Sequence, residues 1–97
     1  MKLTGKCKQD FWMSLDLDTL KRLNDLPGCC QNALIIEYLD SIGIYVYVKP
    51  RFHYGGLSFD GFIDGMDISK IETEYFKTRT EAINAAIEKV NELINKI

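Results

Sequence analysis

The sequence predicts an α+β domain: N-terminal helices, then a small antiparallel sheet of two or three strands, then a long C-terminal helix packed on that sheet. Helical spacing of apolar residues near both ends and an alternating β-branched and aromatic run between them predict this order. At 97 residues, 46% of them hydrophobic, the chain is expected to form one domain over residues 1–97. A core of this size is thin, so a deep enclosed active site is not expected.

The N-terminal third reads as helical. Apolar residues recur every four positions at Leu3, Cys7, Phe11 and Leu15, which predicts a helix from Thr4 to Met13 with Thr4 as its cap. The stretch LDLDTLKRLNDLPG is either a short second helix capped at Asp16 or Asp18, or a loop with one helical turn.

A broad apolar face over Cys29–Ser41 predicts a buried central helix, and Gly43 supplies its left-handed stop. The run IYVYVK then alternates as a strand that Pro50 is expected to end. After it, RFHYGG predicts a turn and LSFDGFI a second strand, with Gly61 marking a bulge or a close backbone approach. A third strand is expected at Ile71–Phe76, where exposed glutamates suit a sheet edge.

The C-terminal segment gives the clearest helical signal. Thr78 with Glu81 three residues later forms a capping box. One apolar face at helical spacing then predicts a helix over Arg79–Asn95 that packs on the sheet. Glu92 and Lys96 form an i,i+4 pair on its outer side.

Charge disfavours an obligate nucleic-acid binder, since 12 basic and 14 acidic residues leave a net charge of −2. The distribution is uneven, with three lysines and no acid in residues 1–9, and five acids against one lysine in residues 57–76. This asymmetry is typical of a solvated face, or of a surface that guides association or attracts a basic partner.

The three cysteines, two of them adjacent, do not predict a disulfide scaffold. At least one of Cys29 and Cys30 is expected to be a small buried hydrophobic residue, although the start of a helix could also activate a thiol. The N-terminal lysines precede no apolar targeting segment, and no apolar run reaches membrane length, so a cytoplasmic protein without a membrane partner is expected.

Few residues have side chains suited to catalysis or metal binding, and none is predicted to be catalytic, to bind a metal or to hold a cofactor. The single histidine, His53, has no second ligand or base placed near it by a motif, so it reads as an exposed turn residue. Asp60, Asp64 and Asp67 fail the spacing of a calcium loop and read as turn-forming acids, with weak Mg²⁺ or Ca²⁺ binding as the alternative.

The aromatic residues around the predicted hairpin are the best candidate binding surface. Tyr45, Tyr47 and Phe62 are expected to share the sheet face opposite Val46. Either the helices cover that face or it is an exposed apolar patch, so it is core or a dimer contact, the site of a partner protein, or a platform on which single-stranded nucleic acid stacks. The candidate binding residues are Tyr45, Tyr47, Arg51, Phe52, His53, Tyr54 and Phe62.

Three segments carry a family resemblance: the opening MKLTGKCKQDFW, the middle LPGCCQNALIIEYLDSIG and the ending YFKTRTEAINAAIEKVNELINKI. They resemble small proteins of prophages and mobile elements of gut bacteria, with an LTGKxKxxFxxW start and an F-x-[ST]-R-x-EA-x-x-AAIEKxNE finish. The resemblance covers a little over half of the chain. It implies a phage or mobile-element origin, and neither an activity nor a catalytic residue.

Two further resemblances concern the fold. The predicted α-β-β-β-α order is similar to double-stranded-RNA-binding domains, but the lysine cluster of their second helix is mostly missing from Lys77–Glu81. The Thr78–Ala82 segment is similar to the start of the helix in HicB-type antitoxins. The expected function is therefore a non-enzymatic, phage-derived interaction protein, a homodimer or the partner of a host or phage protein. The alternative is a small nucleic-acid-binding protein.

Overall fold

A computed structural model gives the fold, and it describes residues 3–53, 56–65 and 68–96, with only the backbone of residue 53 and of residues 68–75. The predicted α+β order is confirmed, and the described residues form four helices and a three-stranded antiparallel sheet. In chain order the elements are α1 (Gly5–Ser14), α2 (Leu17–Arg22) with a 3-10 turn (Leu23–Asp25), α3 (Gly28–Ser41), β1 (Tyr45–His53), β2 (Gly56–Gly65), β3 (Ile68–Phe76) and α4 (Arg79–Asn95).

Helix α1 lies where the four-residue repeat predicts it, and it buries Cys7 and Phe11. Thr4 occupies the cap position, but its side chain makes no capping hydrogen bond. Instead, the Cys7 N–H donates to Oδ1 of Asn95, 3.1 Å away on α4. The first turn of α1 is therefore capped by a side chain from the other end of the chain.

A second asparagine completes this contact between the two ends of the chain. The Thr4 N–H donates to Asn91 Oδ1 at 2.8 Å, and Asn91 Nδ2 donates back to Thr4 Oγ1 at 3.0 Å. Asn95 Nδ2 donates to the Thr4 carbonyl at 2.9 Å. The bonds from the Thr4 and Cys7 N–H groups satisfy donors that a helix start would otherwise leave unpaired.

Asp16, rather than Asp18, caps α2. The Thr19 N–H donates to Asp16 Oδ1 at 2.7 Å, and the hydrogen bonds from Thr19 lower the pKa of the Asp16 carboxyl. Helix α3 spans the predicted segment and ends at Ser41, and Gly43 just past it has a left-handed φ of 83°, as expected.

The expectation that Pro50 ends the first strand is wrong. Strand β1 continues to His53, so Arg51, Phe52 and His53 belong to a strand and not to a turn. Because the sheet order is β1-β2-β3, β1 lies at an edge, where a residue without an N–H costs no ladder bond if its nitrogen faces outward. The bulge predicted at Gly61 is confirmed by a shift in the β2–β3 register between Asp60 and Phe62.

Strand β3 begins at Ile68, earlier than the predicted Ile71, and its glutamate side chains lie outside the described residues. At the start of the hairpin, a Cβ on Gly65 would overlap the carbonyl oxygen of Gly43. Only glycine permits this close approach, which brings the end of β2 against the chain entering β1.

Helix α4 matches its predicted bounds and packs on all three strands. The Glu81 N–H donates to Thr78 Oγ1 at 3.1 Å, which confirms the predicted cap. Lys96 Nζ donates to Glu92 Oε1 at 2.9 Å and lowers the pKa of that carboxyl. The core between the helices and the sheet consists of Leu3, Cys7, Phe11, Leu23, Ile35, Leu39, Ile44, Val46, Ile63, Ala86, Ile87 and Val90.

Candidate functional site

The β1–β2 register divides the sheet into two faces. Val46 pairs with Ile63, and both belong to the core beneath the helices, so this is the inner face. Residues one position away point to the opposite side, because successive side chains alternate along a strand. That opposite side, the outer face, carries the pairs Tyr45–Asp64, Tyr47–Phe62, Lys49–Asp60 and Arg51–Ser58.

The centre of the outer face is an aromatic pair with a cation beside it. The rings of Tyr47 and Phe62 stack with centroids 5.2 Å apart and planes inclined by 14°. Lys49 Nζ lies 5.7 Å from the Tyr47 centroid and 5.3 Å from the Phe62 centroid. Both distances allow attraction between the ammonium and the aromatic rings.

Arg51 and Asp60 form an ion pair next to these rings. Arg51 Nη2 lies 2.8 Å from Asp60 Oδ2, and the side chains are 45% and 2% exposed respectively. The interpretation of Asp60 as a turn-forming acid is therefore wrong, because Asp60 lies within β2 and is buried. Its burial is tolerated because the guanidinium compensates the charge, and the pair holds Arg51 on the outer face.

Two buried polar atoms of this face lack a hydrogen-bond partner in the described structure: Ser58 Oγ and Asp60 Oδ1. Leaving such atoms unpaired costs stability, and native proteins contain few of them. They follow each other on the outer side of β2, so the unpaired atoms are confined to one end of this face.

The structure brings four of the predicted binding residues together, namely Tyr45, Tyr47, Arg51 and Phe62. Phe52 is not among them: its register partner is Leu57, and both point toward the inner side, beyond the helices, with Phe52 82% exposed. The side chain of His53 and all of Tyr54 lie outside the described residues.

Sequence reasoning missed Lys49 and Asp60 as members of the surface. Lys49 could have been found, because it alternates with Tyr45 and Tyr47 on the same strand. Asp60 shares its side of β2 with Phe62 by the same alternation, but its ion pair with Arg51 is diagonal and becomes visible only in the observed register.

The adjacent cysteines contradict the expectation that at least one is buried, since Cys29 and Cys30 are both exposed in the first turn of α3. The hydrogen bond with Cys29 raises the pKa of the Cys30 thiol. A raised pKa lowers the thiolate population, which is the opposite of what an activated nucleophile needs. Cys7 is the buried cysteine, and its burial likewise raises its pKa.

Other chemical sites are not evident in the described part of the chain. Its His, Cys, Asp and Glu side chains form no group of three that could hold a metal ion, and Asp64 is an exposed strand residue while Asp67 is not described. One cavity, of about 390 Å³, is an open groove between α2 and α3 that Leu26, Cys30 and Leu34 help to line. None of the described helices combines the length and apolarity required to cross a membrane.

Comparison with known proteins does not add a relative to these observations: no family model matches the chain, and neither a curated protein nor a solved structure matches it.

Proposed function

We propose that the chain is a non-enzymatic interaction module of phage or mobile-element origin that binds a protein partner through the outer face of its sheet. One observation carries the proposal. Every described helix that packs on the sheet does so from the inner side, whereas the outer face presents stacked aromatic rings and two cationic side chains. A sheet face with such residues is typical of a contact surface.

The charge of this face favours a protein over a polyanion. Arg51 is already paired with Asp60, and the same face also carries the exposed acid Asp64 opposite Tyr45. A nucleic-acid surface needs several uncompensated cations to displace counterions. Aromatic residues and arginine, in contrast, are enriched at the centre of protein interfaces.

The test uses the tagged full-length chain as bait for proteins of a bacterial host and for a second, untagged copy of itself. The outer-face variant carries Tyr45→Ser and Lys49→Ser. The control carries Leu17→Ser and Lys21→Ser, which likewise remove one exposed hydrophobic side chain and one lysine, here from the surface of α2.

Wild type and control are expected to retain the same bound protein, and the outer-face variant to lose it. Retention by all three baits would contradict the proposal, because the bound protein would then contact another surface. A chain that binds no protein and stays monomeric would contradict it as well.

Single-stranded nucleic acid is the second candidate, favoured by the Tyr47–Phe62 stack with Lys49 beside it, since aromatic residues on a sheet can stack bases. The start of α4 is a weaker candidate, because the Arg79 guanidinium lies over the Phe59 ring, 5.1 Å from its centroid.

Fluorescence anisotropy with labelled single-stranded oligonucleotides at low salt tests this candidate. Binding that is lost with Lys49→Ala and Arg51→Ala, but kept with Lys77→Ala and Arg79→Ala, would support the sheet. An absence of binding at low salt would remove the candidate.

A further inference from the structure

The outer edge of β1 has an unpaired backbone in the described structure. The sheet order leaves β1 with β2 on one side and no described strand on the other. Two residues show which backbone groups point to the free side. The Ile44 N–H points away from β2 and donates to the Leu39 carbonyl, with an N···O distance of 2.9 Å. Pro50 has no N–H that could bond to β2. Both positions are even-numbered.

Because N–H and C=O groups alternate in direction along a strand, Val46 and Val48 face the same free side. Within the described residues, no backbone group of the loops or helices bonds to either valine. An edge strand with free N–H and C=O groups is a template for pairing with another chain. What pairs there must be complementary to the side chains that flank these groups.

The outer-face side chains of β1 are complementary to themselves when the strand is reversed. They read Tyr45, Tyr47, Lys49, Arg51, with the aromatic residues first and the cations second. An antiparallel copy centred on Val48 sets Tyr47 opposite Lys49 and Tyr45 opposite Arg51. Each cation then meets an aromatic ring of the other copy, as cation–π attraction favours.

Neighbouring registers are poorer. Centring the pair on Lys49 would set two ammonium groups directly opposite each other, and like charges there are destabilising. Centring it on Pro50 would put a residue without an N–H at the axis and set Lys49 opposite Arg51. Only the register centred on Val48 gives both cations an aromatic partner.

We propose that β1 pairs antiparallel with β1 of a second copy of this chain, with Val48 on the twofold axis, so that the two sheets become one. The inference rests on the proposed function and names the partner. At the axis, each Val48 N–H donates to the Val48 carbonyl of the second copy. Next to it, each Val46 N–H donates to a Pro50 carbonyl, and Pro50 limits further pairing. Such an isologous contact closes as a dimer.

Two measurements on the full chain test the dimer. Sedimentation equilibrium is expected to show a dimer that Val48→Pro weakens about tenfold or more, because each copy loses its axial donor. Since the Val48 N–H points away from β2, its loss breaks no bond within the sheet, and the fold should tolerate a proline there as it tolerates Pro50. Lys21→Glu, on α2, is the control for unchanged assembly, and Lys49→Glu is a second disrupting variant should Val48→Pro unfold.

Amide hydrogen exchange separates pairing from folding. In the dimer the amides of Val46 and Tyr47 are both protected, whereas in a monomer only Tyr47, which faces β2, is protected. Val48→Pro is expected to expose the Val46 amide and to leave that of Tyr47 unchanged.

Cross-linking tests the register. The exposed cysteines are first removed by Cys29→Ser and Cys30→Ser. In the proposed register, only a cysteine at the axial position then lies directly opposite the same cysteine of the second copy. Val48→Cys is therefore expected to form a disulfide-linked dimer under mild oxidation, while Tyr47→Cys and Lys49→Cys do not, since Cα atoms of directly opposed residues lie within disulfide reach.

A chain that is monomeric at every concentration, or a dimer that Val48→Pro leaves intact, would overturn the inference. Preferential linking at Tyr47→Cys or Lys49→Cys would overturn the register and therefore the inference. The two proposals fail separately: a monomer whose outer-face variant still loses a host protein contradicts the dimer alone. Loss of all protein binding, self-association included, contradicts both.

Discussion

The two faces of the same sheet are built differently. The inner face is apolar and is closed where the helices lie: Val46 and Ile63 are buried, and Ala82 and Ala86 let α4 approach closely. The outer face holds stacked rings beside an arginine, and it buries Asp60 with one carboxylate oxygen unpaired. Burial of apolar area stabilises the inner face, whereas unpaired polar atoms cost stability on the outer face.

This difference separates what holds the fold from what meets a partner. A small domain has little stability to spare, so an arrangement that costs free energy points to a role outside folding. The sharpest way to break the comparison is to show that both faces contribute equally to stability. Substitutions of neighbouring residues that point to opposite faces of one strand compare the contributions of the two faces to the free energy of unfolding.

The largest effect is expected from Ile63→Ala on β2. Ile63 is fully buried between the sheet and the helices, so the substitution removes apolar contacts and leaves a cavity. Chemical denaturation should show a loss of about 2–5 kcal/mol in the free energy of unfolding.

Phe62→Ala, one residue earlier, is the matched variant on the outer face. Its half-buried ring loses the stack with Tyr47, and a smaller loss of about 1 kcal/mol is expected. Equal losses for the two variants would mean that the outer face is part of the core, and the contrast between the faces would disappear.

An intermediate effect is expected from Asp60→Asn. The amide keeps the size of the side chain but removes the charge that pairs with Arg51, so the free energy of unfolding should fall by about 1–3 kcal/mol. Asp64→Asn is the control, since Asp64 is an exposed acid of the same strand and face, and it should change stability by less than about 0.5 kcal/mol. Similar losses for both would show that net charge, and not this pair, is being measured.

The extent to which the sequence predicts the structure follows the same division. Local signals determine α4: its cap lies three residues from its partner and its apolar residues recur at helical spacing, so both its bounds are predictable. Alternation likewise places Tyr45, Tyr47 and Phe62 on one face. Each of these predictions needs only residues that are near one another in the chain.

What the sequence could not predict depends on contacts between distant residues. Pro50 lies inside a strand because β1 is an edge, and edge position is a property of the whole sheet. Asp60 is buried because the register brings Arg51 to it. Asn95 caps the first turn of α1 by accepting from the Cys7 N–H, 88 positions earlier in the chain. No local sequence pattern predicts a hydrogen bond between residues so far apart.

A weaker effect should appear at high pH on the helix side. Burial raises the pKa of the Tyr38 phenol and of the Cys7 thiol, and the nearby Asp10 carboxylate raises both further. The folded state therefore holds these protons more tightly than the unfolded state. Their contribution to stability is complete below the unfolded pKa values and is lost as pH rises through the folded ones.

Because Tyr38→Phe removes the phenol, it is expected to flatten the fall in melting temperature above the ordinary phenol pKa of about 10. Tyr45→Phe removes a phenol from the outer face and is the matched control. An equal flattening in both variants would show that the alkaline loss does not arise in the buried helix layer.

The smallest effect on folding is expected from Tyr45→Ser. The side chain is 52% exposed at the end of the outer face, so the free energy of unfolding should change by less than about 0.5 kcal/mol. Leu17→Ser, at a similarly exposed apolar side chain of α2, is the control, and both are measured by thermal and chemical unfolding. A loss well above 1 kcal/mol in the free energy of unfolding for Tyr45→Ser alone would show that the Tyr45 ring stabilises the fold. Tyr45 could then no longer serve as the outer-face residue that does not contribute to folding.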